Sequence, residues 1–149
     1  GTPTALEGMC IASLEAGIAF SNAILGAIHA LAHPLGACYD LHHGVANAVL
    51  LPTVVRKNAG YAVEKYAVIA RAMAPDAREM PAAAAAHRVP EILVRLIRDV
   101  GLPLRLSDLG VDPADIPRLA EMAQVDPCMM TNPYRYSKAE IETLYRDGL

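Results

Sequence analysis

Four of the five histidines, His29, His33, His42 and His43, lie between Glu15 and Arg56, a stretch with Asp40 as its one internal charge. An imidazole taken out of water loses hydration unless a hydrogen bond or a metal replaces it, so such a cluster in an apolar segment predicts a metal site. His29 and His33 are four residues apart, which on a helix puts their rings on one face with Cβ atoms about 5 to 6 Å apart. Both can then reach one ion. His43 follows ten residues after His33, past Pro34 and Gly36, where the chain can turn back and bring a third imidazole. Neutral imidazole suits zinc, copper, iron and nickel, and a catalytic centre keeps one coordination position open.

The neighbouring groups are weaker candidates. Asp40 has the chemistry to ligate a metal or orient an imidazole, but a lone loop Asp is more simply a turn residue. Cys38 has no adjacent Lys or Arg to lower its pKa and reads as a buried small thiol. His87 follows five alanines and precedes Arg88, which places it on a solvated helix face. Asn132-Pro133 reads as a turn with no chemistry of its own.

Helices must position these groups. Thr4 precedes Glu7 by three residues, the spacing of a capping box, and no strong breaker follows before Ala32, so one long helix is expected there. Its apolar residues fall on more than one face, which predicts a central, buried helix. Pro34 and Gly36 are expected to end it, with an irregular loop over 35–42. Further helices are expected over 44–55, with a break or kink at Pro52, over 60–74, over 81–100, with an irregularity at Pro90, from Asp112 to Gln124, and from the Ser137/Glu140 pair to Tyr145. No period-two strand pattern occurs. The fold class is all-α, a helical bundle with a long apolar central helix, and residues 1–149 form a single domain.

Bulk composition sets the remaining limits. Apolar residues make up 54% of the 149 and aromatics 5%, so the core is built from Ala, Leu, Ile and Val. The net charge is −3 with no basic cluster, which argues against nucleic acid as a partner. The uncharged run 16–39 is long enough to span a membrane, but Ser21, Asn22, His29, His33 and Pro34 interrupt it, and no membrane association is expected. Three widely spaced cysteines, Cys10, Cys38 and Cys128, suit a reducing compartment, and the cytoplasm is the expected location.

The segments His29-Ala-Leu-Ala-His33-Pro-Leu-Gly36, His43-Gly-Val-Ala-Asn47-Ala and Leu50-Leu-Pro52 resemble the signature of the iron-containing alcohol dehydrogenases. The likeness extends to Leu14–Asn22 before it and to Asp126-Pro-Cys128 and Thr131-Asn-Pro133 near the end. It covers essentially this whole chain but only the later part of a family member. The resemblance implies the all-helical metal domain of an enzyme whose α/β nucleotide-binding domain lies upstream. It implies that His29 and His43 are metal ligands, that His33 sits beside the nicotinamide, and that an Asp and a His upstream complete the metal site. His42 stands where the family commonly has Pro, and the spacing favours His43 over it as the ligand.

The implied activity is NAD- or NADP-dependent interconversion of an alcohol with an aldehyde or ketone, assisted by a divalent metal, Fe2+ or Zn2+. A homodimer or larger homo-oligomer acting on a small-molecule alcohol or aldehyde is expected, and residues 1–149 by themselves are expected to be inactive. The alternative is a non-enzymatic helical metal-binding or oligomerisation module.

Overall fold

The computed structural model describes residues 1–149 and is all-α. Its helices are α1 (Pro3–Ala23), α2 (Ala27–Tyr39), α3 (His43–Asn58), α4 (Val63–Met73), α5 (Ala82–Asp99), α6 (Ile116–Gln124) and α7 (Lys138–Asp147), joined by short loops and 3-10 turns. α2 is the hub, packed against both α3 and α6. α3 carries the chain across to the α4–α5 pair, and α7 closes over α6.

The main core gathers Leu31 and Leu35 of α2, Leu50 and Val54 of α3, Leu119 of α6 and Tyr145 of α7. Each fully buried Leu contributes about 1.5 to 3 kcal/mol. A smaller core between α3, α4 and α5 is lined by Ala67, Ala70 and Ala85 with Val55 and Val89. Small side chains let these helices approach closely, as the Ala-rich, ring-poor composition implied.

The expected continuous helix from Thr4 to Ala32 is divided. Ile24 takes φ 59°, a positive value that a β-branched residue enters only at a cost, and Gly26 is extended as the N-cap of α2. The bend between α1 and α2 is 103°. α1 has no buried residue, and Leu6, Met9, Leu14 and Ile18 are all more than half exposed. The apolar helix at the centre of the bundle is therefore α2, not the longer segment before it. Thr2, rather than Thr4, caps α1 by accepting a hydrogen bond from Ala5 N–H. No single helix is long and apolar enough to cross a membrane.

Pro34 and Gly36 do not end α2, which runs on to Tyr39. An interior proline removes one helical hydrogen bond at a cost of about 3 kcal/mol. Burial of Leu31, Pro34 and Leu35 on the helix's core face offsets that cost. The stop comes instead at Asp40, in the left-handed region with its N–H donating to Gly36 O. Pro52 and Pro90 likewise sit inside continuous α3 and α5. α4 ends before Pro75, and Ser137 and Glu140 form a complete capping box at α7, both as the sequence implied.

Candidate metal centre

The Asp40 turn and the short link through His42 reverse the chain, so α3 begins beside the helix it has just left. This sets His29 and His33 of α2 against His43, the first residue of α3. Ring centroids are 5.3 Å apart for His29–His43, 5.6 Å for His33–His43 and 6.1 Å for His29–His33. His42 is the exposed N-cap of α3, and its ring shares none of these contacts. His87 is exposed on α5, and Asp40 is a helix cap. Cys38 is half-buried against Met122, with the two sulfurs 3.8 Å apart.

His29 is partly buried, whereas His33 and His43 are exposed. Burial holds the His29 pKa below the ordinary 6.5, helped by the charges of His43 and His33 and opposed by Asp126. At neutral pH His29 is thus an imidazole with a lone pair to give. Asn47 Nδ2 donates to His43 O at 2.8 Å and lies 3.1 Å from His43 Nε2. Two imidazoles side by side are ligands of the kind a divalent transition metal takes as part of its set.

Asp126 adds a partner from the far end of the chain. Its Oδ1 accepts Cys128 N–H at 2.8 Å, capping the 3-10 turn Pro127–Thr131, and its Oδ2 lies 2.7 Å from His33 Nδ1. Burial by itself raises the Asp126 pKa, but hydrogen bonds from His33, from the Cys128 N–H and from the Cys128 thiol outweigh it and hold the carboxyl below its ordinary value. A carboxylate only accepts, so His33 Nδ1 carries a hydrogen, and in the neutral ring Nε2, on the opposite edge, keeps the lone pair. The Cys128 thiol is pushed up by burial and by its bond to Asp126.

A buried amide network fixes the start of α2. Asn132 Oδ1 accepts Ala27 N–H at 3.1 Å and Asn58 Nδ2 at 2.8 Å, while its Nδ2 donates to Asn58 Oδ1 and to Tyr134 O. Tyr136 OH completes the set on Asn58 Oδ1. One turn further along, Tyr145 OH donates to Leu31 O at 2.7 Å. Asn132 is therefore more than the turn residue its neighbour Pro133 suggested. It holds the helix that carries His29 and His33.

Residues 3–149 match the Fe-containing alcohol dehydrogenase family, C-terminal. The chain belongs to the iron-containing alcohol dehydrogenase family. Among relatives in this family, 1,3-propanediol dehydrogenase of Klebsiella pneumoniae is 46% identical over 144 residues, covering 97% of this chain and 37% of the relative. Lactaldehyde reductase of Escherichia coli (strain K12) is 45% identical over 145 residues, covering 97% and 38%. A crystal structure of 1,3-propanediol oxidoreductase superposes with a TM-score of 0.90 at 45% identity, covering 93% of this chain and 36% of that one. The chain thus spans just over a third of the length of these iron-containing alcohol dehydrogenases.

Sequence reasoning singled out His29, His33 and His43, and the fold brings those three together. It gave Asp126 and Cys128 no role beyond their likeness to the family's closing segment. An Asp before Pro signals the cap of a turn. Its second bond, to a histidine 93 residues away, leaves no local mark.

Proposed function

We propose that this chain is the helical metal-binding part of an NAD(P)-dependent alcohol dehydrogenase. In this reading His29 and His43 hold a divalent ion, iron or zinc, and His33 faces the nicotinamide and moves a proton. The convergence of the three imidazoles from α2 and α3 carries the reading, and membership of the iron-containing family supports the choice of metal. The names of the propanediol and lactaldehyde enzymes support a small alcohol or aldehyde as substrate. Three free cysteines support a reducing, cytoplasmic setting.

When bound, the ion supplies Lewis acidity toward an alcohol or carbonyl oxygen, and the dinucleotide supplies the hydride acceptor or donor. The chain's residues do the rest. His29, whose pKa burial lowers, and His43, at the head of α3, would hold the ion. His33 Nε2 takes the hydroxyl proton during oxidation and returns it in the reverse direction. Asp126 keeps the other ring nitrogen protonated and stabilises the imidazolium that this transfer creates. The Asp and His that the family likeness implies as further ligands belong to the upstream part of the complete protein.

The test is metal analysis of the complete protein with NAD(P)H absorbance as the activity readout. His29→Ala and His43→Ala should each lose most of the bound metal and of the alcohol-dependent NAD(P)H formation. Undiminished metal content in both would overturn the ligand assignment.

A further inference from the structure

His33 also belongs to a second set of donors, with Asp126 and Cys128. A ring nitrogen of His33, an Asp126 carboxylate oxygen and Cys128 Sγ lie within 4.8 Å of one another, and Nδ1 is the nitrogen 2.7 Å from Asp126 Oδ2. They come from two elements packed together, α2 and the turn Pro127–Thr131. We propose that these three side chains form a second divalent-metal site, suited to zinc, whose occupation switches His33 off.

The donor set selects the ion. One nitrogen, one carboxylate oxygen and one thiolate are ligands that zinc takes at about 2.0 to 2.3 Å, whereas magnesium and calcium require oxygen throughout. Charge selects it too. A carboxylate and a thiolate together cancel the two positive charges of the ion, so the unit formed is neutral. Water fills the remaining position.

The protons balance as follows. The Cys128 S–H bond breaks on coordination and its proton goes to solvent. His33 gives its Nδ1 lone pair to the metal, and the proton that Nδ1 held is replaced by one on Nε2. Asp126 exchanges the hydrogen bond from His33 for a bond to the ion. One proton is released per ion bound. His33 Nε2 is then an N–H donor and can no longer accept a proton from an alcohol. Inhibition therefore rests on the role of His33 proposed above, whereas metal binding at the second site does not.

Cobalt(II) is the probe for binding, added to the metal-free complete protein. One equivalent fills the histidine centre, whose donors include no sulfur, and gives no thiolate-to-cobalt charge-transfer band. A second equivalent should produce that band. Cys128→Ser keeps the backbone N–H that Asp126 caps, and should bind one equivalent without the band. Absence of the band at excess cobalt, or its survival in Cys128→Ser, overturns the site.

The second arm adds Zn2+ to the iron-loaded protein. The kcat should fall about tenfold or more and recover with a chelator, as expected when a ligand's supporting residue is diverted. Cys128→Ser should resist this inhibition, and equal zinc sensitivity of wild type and variant overturns the switch. Loss of the sulfur-free equivalent in His29→Ala reports on the primary centre, so failure of that reading and failure of the second site give different spectra.

Discussion

His33 Nδ1 and Asp126 Oδ2 are 2.7 Å apart across 93 positions of sequence, and the Asp126 side chain is only 14% exposed. This one contact fixes which nitrogen of His33 can accept a proton. Asp126→Asn keeps the shape but permits the amide to donate to Nδ1, which moves the ring hydrogen to Nε2. In the complete protein the variant should retain its metal and its KM for the alcohol, with kcat lowered about 10- to 100-fold. A kcat equal to wild type would show that the contact is a turn cap alone.

Asn132 ties three segments at one buried point: Ala27 at the head of α2, Asn58 at the end of α3, and Tyr134. Asn132→Ala leaves the Ala27 N–H and both polar atoms of Asn58 short of a partner. The expected loss is about 2 to 4 kcal/mol, measured by denaturant unfolding. Gly26→Ala should show a smaller loss by the same route, because a Cβ there would stand 3.2 Å from Asn132 Oδ1.

Tyr145 is fully buried, and its hydroxyl joins α7 to Leu31 O in the middle of α2. Tyr145→Phe preserves the ring's packing and removes only that bond. Stability should fall by about 1 to 2 kcal/mol, read as a shift in denaturant midpoint at constant slope. No shift would mean that water satisfies the carbonyl equally well.

Glu140 closes the α7 capping box. Hydrogen bonds from Ser137 N–H, from the Ser137 hydroxyl and from Tyr134 hold its carboxyl below the ordinary value of 4.5. The folded-state value is depressed, so the stabilisation is fully present above the unfolded value and is lost as pH falls through the folded one. Wild type should therefore melt above Glu140→Gln near neutral pH, and the difference should shrink as pH falls below 4.5 and vanish below the depressed folded-state value. A difference that does not change with pH would show that the carboxylate's charge is irrelevant to the cap.

Much of this protein is legible in its residue order because the relevant physics is local. A charge-free segment with repeated imidazoles, helical apolar periodicity and the Ser137/Glu140 pair each act within a turn or two of chain, and they yielded the all-α class, the α7 cap and the three histidines. The errors concern competition between local and distant terms. Pro34 and Pro52 are breakers by themselves, yet α2 and α3 run through them because burial outweighs the lost hydrogen bond. The bend at Ile24 runs the other way, since no local signal marks a residue that is forced to positive φ.

Residue order by itself marked His29, His33 and His43 as candidate metal-binding groups and the chain as all-α, because side-chain chemistry and helical spacing need no long-range information. Only the tertiary structure decided what His33 faces. Its proton is placed by Asp126 and its helix by Asn132 and Tyr145, partners between 93 and 114 residues distant along the chain in their contacts with α2. Hydrogen-bond pairing at that range is fixed by how the helices pack, and no periodicity in the sequence encodes it.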